Sequence, residues 1–291
     1  MAARYLDLLS DADLRLLAEA SDTVEPDRAA RWFRLAPQEL DTALAEERTY
    51  EHLFGRTSAP TGIITASPTL LFAVLIHRAA AEIADAPYIS ERVGGRQLVP
   101  VFDSVTLAEF AASAEHRVFL VELLGSYTKV VSGPTLVRQD GRWRRRRFSE
   151  MSPTQLAGLL DTVEEAERPG VYRRLGDLAL FVTGIFPDHA AQQPIGPVEL
   201  TRLLRSLPPS ERSDVLANEP ESVFGRGTTA AVLGGFGPRW YRVASELTPL
   251  PTVARPLSEM AGSFDHARRF LTFLTDRHLF DTRSWFPFSW N

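Results

Sequence analysis

The chain has 291 residues, a formal net charge of −5 and an apolar fraction of 44%, with 24% of its residues charged. These values are typical of a soluble globular protein, long enough for one large domain or two ordinary ones. The sequence contains no cysteine, which excludes disulfide scaffolds, thiol nucleophiles and Cys-ligated metal sites and fits the cytoplasmic location that we expect.

The N-terminus has no apolar signal region, and the longest apolar run, residues 70–76, is far shorter than a bilayer span. We therefore expect neither secretion nor a membrane segment. The negative net charge opposes long-range attraction of a polyanion, so any nucleic-acid contact would need a local basic patch.

Three helices are predicted in the first 55 residues. Ser10 is a typical N-cap and Asp13 follows three positions later, which indicates a capping box. A short helix is predicted at 27–35 and another at 37–54. The next helix, 69–85, is the most apolar of the chain, and apolarity on all sides predicts a buried central position.

Residues 88–101 predict extended chain or a short strand, and helices are predicted at 106–114 and 115–131. The second of these is too densely apolar for a surface helix, so we expect it to pack against 69–85. Asp140-Gly141, between two short strand-like runs, then predicts a β-hairpin at about 134–148.

Helices follow in the C-terminal half, where Gly176 indicates a close helix crossing and the glycines and Pro238 predict a kink or a break in 228–247. The predicted helices are 153–167, 171–186, 198–207, 210–218, 228–247 and 256–279. The fold class is mainly α, a multi-helix globular bundle with one protruding β-hairpin. We interpret 1–291 as a single domain with a seam near Gln192, separating a helical core with the hairpin (1–191) from a C-terminal helical subdomain (192–291).

The second strand of the hairpin carries the most concentrated positive charge. Its candidate partner-binding residues are Arg142, Trp143, Arg144, Arg145, Arg146 and Arg147. Residues alternate between the faces of a strand, so arginines occupy both faces and neither face can be buried unpaired. One interpretation is a basic finger that binds phosphates and stacks Trp143 on a base. The other is pairing with the acidic residues of the next helix or protection of a strand edge; these acidic residues are Asp161, Glu164, Glu165 and Glu167.

Three polar residues interrupt apolar helices and are weak catalytic candidates: His77, Glu122 and Asp177. They could converge on a small-molecule pocket with a carboxylate as acid or base, or form internal ion pairs. None of the six histidines lies in a Glu-x-x-His or His-Glu-x-x-His pattern, so no metal site is predicted, and no cofactor is predicted either.

The C-terminal segment contains four large aromatic residues, which are unusual at a chain end: Trp285, Phe286, Phe288 and Trp290. We expect them to form a terminal plug on the domain, or else an interface in a homo-oligomer or with a partner. Removing the segment and measuring stability and mass would separate these alternatives.

The leading hypothesis for function is a non-enzymatic cytoplasmic binding or regulatory protein. It would engage an acidic partner, nucleic acid being one class, through the arginines of the hairpin. The alternative is an enzyme or small-ligand-binding protein with a site between the central helices, near His77, Glu122 and Asp177.

Overall fold

A computed structural model describes residues 2–55, 65–93, 97–130, 132–139, 142–218 and 227–279. Within these residues the protein has 16 α-helices and two antiparallel sheets of two strands each, so the mainly α prediction is confirmed. The chain forms two compact units: unit 1 comprises Met1–Thr128 and Arg269–Asn291, and unit 2 comprises Lys129–Arg268.

Unit 1 contains eight of the helices and the first sheet. These are α1 Ala2–Leu8, α2 Asp11–Ser21, α3 Ala29–Leu35, α4 Pro37–Ala45, α5 Glu47–Phe54, α6 Pro68–Asp85, β1 Ile89–Val93, β2 Gln97–Val101, α7 Ser104–Ala112 and α8 Ala114–Ser126. The prediction of three helices in the first 55 residues was wrong. Helix α1 was missed because no polar capping residue precedes it in the sequence. The helix predicted at 37–54 is two helices, because the extended backbone of Glu46 separates α4 from α5.

Helix α6 is the centre of unit 1. The Ser67 side chain accepts a hydrogen bond from the Leu70 amide, and Pro68 occupies the first turn, where its missing N–H costs nothing. The helix packs against α4, α5, α7 and α8. The predicted central position of this helix, and its contact with the helix at 114–126, are therefore confirmed.

The capping box of α2 is also confirmed, with Asp13 accepting from the Ser10 amide and the Ser10 side chain accepting from the Asp13 amide. The extended segment predicted at 88–101 is a β-hairpin of its own, with Ile89 opposite Val101. The sequence therefore predicted one hairpin too few, because β1 and β2 are only five residues long.

Unit 2 contains the second sheet and most of the remaining helices. Its elements are β3 Ser132–Gln139, β4 Arg142–Ser149, α9 Pro153–Leu159, α10 Arg168–Ile185, α11 Pro187–Gln192, α12 Pro197–Ser206, α13 Pro209–Asn218, α14 Thr229–Leu247 and α15 Pro251–Gly262. Helix α16, Phe264–Leu274, contains the limit between the units and continues into a π-helical turn, Thr275–Leu279.

The core of unit 2 is the contact between α10 and α14. A Cβ atom on Gly176 would lie only 2.7 Å from Cδ1 of the buried Tyr241 ring, so the predicted close crossing at this glycine is confirmed. Helix α14 continues through Pro238, so the predicted break into two helices was wrong, whereas the alternative of a kink stays a prediction. Conversely, the single helix predicted at 256–279 is two helices, because Ser263 leaves the helical conformation between α15 and α16.

Gln192, the site of the predicted seam, lies inside unit 2. The single-domain prediction and the protrusion of the 134–148 hairpin stay predictions. The turn residues Asp140 and Gly141 and the aromatic segment at 285–290 lie outside the described residues.

Candidate functional site

The first candidate site is a polar cluster around His77, buried in the helical core of unit 1. His77 Nε2 lies 3.2 Å from the Tyr5 hydroxyl oxygen and 3.4 Å from Asp41 Oδ1. The Arg117 guanidinium donates to Asp41 Oδ2 at 3.1 Å. Helices α1, α4, α6 and α8 each supply one member. Tyr5 and His77 are buried, whereas the Asp41 side chain is partly exposed.

Burial fixes the protonation states of this cluster. Removal from water and the nearby Arg117 charge together lower the pKa of His77 to about 4, against the opposing effect of Asp41. Burial likewise raises the pKa of Tyr5 well above its ordinary value. At neutral pH the cluster therefore contains a neutral imidazole and a neutral phenol beside one carboxylate–guanidinium pair.

Arg117 also closes the end of a helix. Its Nη1 atom donates to the carbonyl oxygens of Ala111 at 2.9 Å and Ala112 at 2.8 Å, at the C-terminus of α7. A cation at this position is favourable because the last carbonyl groups of a helix carry partial negative charge. Arg117 thus ties α7 and α8 to Asp41 on α4.

Glu122 lies on α8 in an ion pair with α1. Arg4 Nη2 donates to Glu122 Oε1 at 2.7 Å, and the Glu122 side chain is largely buried. The neighbouring residues Arg4 and Tyr5 of α1 therefore contact two of the sequence-predicted candidates, Glu122 and His77.

Asp177, the third predicted residue, belongs to unit 2. Its Oδ1 atom accepts a 2.8 Å hydrogen bond from the Tyr241 hydroxyl, and its Oδ2 atom lies 3.8 Å from Arg173 Nε. Arg174, one position on, donates instead to Glu150 at 3.2 Å. Asp177 thus has a buried partner on α14 and a partly exposed one on α10, while His77 and Glu122 belong to unit 1.

The His77 cluster combines groups used in general acid–base catalysis, since a neutral imidazole can accept a proton and a phenol can donate one. Its partly exposed member is Asp41, so a proton or ligand from solvent would meet the carboxylate first. Tyr5, Asp41 and Arg117 were missed from the sequence. These residues are far from His77 in the sequence, and no local motif connects them with it. The one sequence signal for such a cluster was the presence of polar side chains in apolar helices.

The second candidate site is the arginine hairpin, which we define as β3 and β4. The strands are antiparallel over eight residue pairs, from Ser132 opposite Ser149 to Gln139 opposite Arg142. The five arginines of β4 lie opposite residues without negative charge: Gln139, Val137, Leu136, Thr135 and Pro134. A sixth arginine, Arg138, lies opposite Trp143. The strands contain no Asp or Glu, so no acidic residue faces an arginine across them.

The base of the arginine hairpin is joined to the helices that follow it. The Ser149 amide donates to Gln155 Oε1 at 2.8 Å, and β4 packs against α9. Glu150, the first carboxylate after the strand, accepts from Arg174 on α10. The side chains of residues 134–147 lie outside the described part of the structure.

The acidic residues that could pair with these arginines lie at the end of α9 and beyond it. All four carboxylate residues, Asp161, Glu164, Glu165 and Glu167, are exposed to solvent. Glu167 also accepts a hydrogen bond from the Glu164 amide at 3.3 Å, which caps the 3₁₀ turn at Glu165–Glu167. One of the four thus has a local structural role.

A shallow cavity of about 330 Å³ lies in unit 2, beside Gly234 and Pro238 of α14 and the α15–α16 junction. Phe264 forms part of its apolar wall, and Arg268 bonds Asp265 at its edge, with 2.7 Å between Nη2 and Oδ1. Its volume is at the lower limit for a small-molecule site.

Metal binding and membrane insertion each require a recognisable arrangement of residues. In the part of the chain that the structure describes, no three His, Asp or Glu side chains are grouped so that they could hold a metal ion. Of the helices described, none combines the length and apolarity needed to cross a membrane. Comparison with known proteins gives no match, since the sequence fits no family model and neither a curated protein nor a solved structure is significantly similar to it.

Proposed function

We propose that the chain is a non-enzymatic cytoplasmic binding or regulatory protein that engages an acidic partner, such as nucleic acid, through the arginine hairpin. The observation that supports this most directly is the register of β3 and β4. It sets six arginines on two paired strands without a single facing carboxylate. This local concentration of positive charge favours an acidic partner, which would supply the counter-charge that the strand pair lacks.

Arginine suits an acidic partner, because its planar guanidinium donates two parallel hydrogen bonds to a carboxylate or phosphate and stays charged at any physiological pH. Successive residues on one face of a strand lie about 6.6 Å apart. The hairpin therefore offers a row of cations rather than a single point charge. The chain as a whole is negative, so the attraction comes from the hairpin alone. Salt at 0.1 M screens it beyond roughly 10 Å.

The test is a binding measurement with labelled single-stranded DNA, duplex DNA and poly-glutamate at several salt concentrations. We expect the protein to bind at least one of these polyanions, with an affinity that falls as salt rises. Replacing Arg144, Arg145, Arg146 and Arg147 together with alanine should abolish binding while the helical circular dichroism signal persists.

A matched control removes the same charge elsewhere. Arginines at four exposed helical positions, Arg15, Arg31, Arg202 and Arg205, can be replaced together with alanine. This variant should bind almost as the parent does, because these residues are remote in sequence from the hairpin. Equal affinity of the hairpin variant and the parent, or equal loss in both variants, would contradict the proposal.

The second candidate function is an enzyme or small-ligand-binding protein with its site at the His77 cluster. It is supported by the neutral imidazole held within 3.4 Å of both a phenol and a carboxylate. A small molecule bound there should raise the melting temperature of the parent protein and have no effect on Tyr5→Phe or Asp41→Asn. If a stabilising ligand acts equally on parent and variants, it binds elsewhere.

A further inference from the structure

Unit 1 has an exposed group of apolar side chains at the open ends of β1 and β2. Phe102 directly follows β2 and is 74% exposed, and Tyr88 directly precedes β1 and is 48% exposed. Their ring centroids are 6.0 Å apart. Val105, in the first turn of α7, is 66% exposed. We call Tyr88 and Phe102 the aromatic patch, and Val105 follows Phe102 by three residues.

Single exposed apolar residues are ordinary, but a contiguous aromatic group is typical of a surface that another segment covers. The patch stands on a well-anchored base. Arg269 of α16 donates to Glu91 of β1, and to Asp103 beside Phe102 at 3.1 Å. The exposure of Phe102 and Tyr88 is therefore not the result of a loosely held hairpin.

The chain itself supplies a segment of matching chemistry. Beyond Leu279 it continues for residues 280–291, in which Asp281 and Arg283 are the charged side chains and Trp285, Phe286, Phe288 and Trp290 are aromatic. The segment directly follows Leu279 of unit 1, the unit that contains the patch.

The distances allow this segment to reach the patch. Arg269 bonds Asp103, next to Phe102, and the ten residues that follow Arg269, up to Leu279, are helical, a rise of about 15 Å. An extended chain covers about 3.3 Å per residue, so six residues bring Trp285 back over roughly 20 Å. The aromatic residues at 285–290 thus come within reach of Phe102 without any change in the helices.

We propose that the segment 285–290 docks on the aromatic patch of its own chain. Tilted aromatic pairs between the segment and the rings of Tyr88 and Phe102 would remove both apolar surfaces from water at once. Since the segment is covalently attached, its effective concentration at the patch is high, which favours its own chain over a second copy.

The test is a double-mutant cycle in the full-length chain, measured as melting temperature. The tail variant replaces Trp285, Phe286, Phe288 and Trp290 with serine, and the patch variant is Phe102→Ser. We expect Phe102→Ser to lower the melting temperature of the parent by roughly 3–10 °C and to leave that of the tail variant unchanged. Leu35→Ser is the control, because Leu35 of α3 is equally exposed at 74%; it should have the same small effect in both backgrounds.

A second measurement does not require the tail variant to fold. In the single variant Phe102→Ser, acrylamide should quench more of the tryptophan fluorescence than in the parent, because Trp285 and Trp290 become accessible. Equal melting shifts for Phe102→Ser in both backgrounds, or unchanged quenching, would overturn the proposal. So would a parent dimer that Phe102→Ser converts to a monomer, since a second copy would then cover the patch.

Discussion

Alanine at Gly176 is expected to destabilise unit 2, although alanine is the better helix former. Gly176 lies in the middle of α10, where the helix meets the ring of Tyr241 on α14. A Cβ atom there would lie 2.7, 2.8 and 2.9 Å from Cδ1, Cε1 and Cγ of that ring. Carbon atoms prefer a separation of about 3.5–4.0 Å, so the ring or the helix must move by nearly 1 Å.

The ring has little freedom to move. Tyr241 is fully buried, and its hydroxyl is held by a 2.8 Å hydrogen bond to the buried Asp177 carboxylate. Overpacking of a core costs about 1–3 kcal/mol, and weakening a hydrogen bond to a charged group adds about 1.5–3 kcal/mol. The higher helix propensity of alanine stabilises the variant by about 1 kcal/mol. The net loss in the free energy of unfolding is therefore roughly 1.5–5 kcal/mol.

Gly234→Ala provides the control. Gly234 lies inside α14, and nothing outside its own helix lies within 4 Å of a Cβ atom built there. This variant should gain the propensity term alone, about 1 kcal/mol. The assay is guanidinium chloride unfolding followed by far-ultraviolet circular dichroism. Equal shifts for the two variants, or a Gly176→Ala protein as stable as the parent, would refute the close contact with Tyr241.

Two further predictions concern buried polar groups in unit 1. Asp13→Ala should lower the free energy of unfolding by about 2–4 kcal/mol in chemical unfolding, because the Asp13 carboxylate accepts hydrogen bonds from the Ser10 amide at 2.9 Å and the Ser67 amide at 2.8 Å. The control Asp11→Ala removes an exposed ion pair and should cost less than about 1 kcal/mol. Equal losses in the two variants would contradict the role given to the Asp13 hydrogen bonds. The pKa of His77 falls to about 4 in the folded state, against about 6.5 unfolded. Because the unfolded chain binds more protons in this range, the His77 contribution to stability is full above pH 6.5 and falls by up to about 3 kcal/mol as the pH drops to 4. In a series of melting curves recorded from pH 7 to 4, the melting temperature of His77→Gln should therefore fall less steeply with pH than that of the parent. An unchanged slope would show that other groups cause the loss.

Local signals predicted those parts of the fold in which the determining residues are neighbours in sequence. The capping box at Ser10 and Asp13, and the proline start of α6 after Ser67, require only three or four adjacent residues. The central position of α6 was likewise predictable from its own sequence, because a helix that is apolar on all sides must be buried. Gly176 indicated a crossing because a glycine inside an apolar helix has few other physical explanations.

Elements whose limits depend on tertiary packing were predicted poorly. Helix α1 has no cap signal, yet Arg4 and Tyr5 attach it to α8 and α6 through Glu122 and His77. The limit between α15 and α16 is an exception, because Gly262 directly precedes Ser263 and is a local helix-ending signal that the prediction did not use. The His77 cluster draws its members from four helices, and no single-sequence pattern joins residues so far apart. His77 was predicted as a candidate because a buried polar residue needs a partner, but that need does not say which residue supplies it.

The two candidate functions respond to different solution conditions, which allows one binding measurement to distinguish them. Arginine keeps its charge in mild acid as well as at neutral pH, so binding of a phosphate partner through the arginine hairpin should weaken with salt and stay constant between pH 7 and 5. Binding at the His77 cluster should depend less on salt, because buried charges are screened weakly, and should weaken when acid protonates the cluster or loosens the helices around it. A complex that is sensitive to salt and indifferent to pH would therefore locate the partner on β3 and β4, and the opposite behaviour would locate it between α1, α4, α6 and α8.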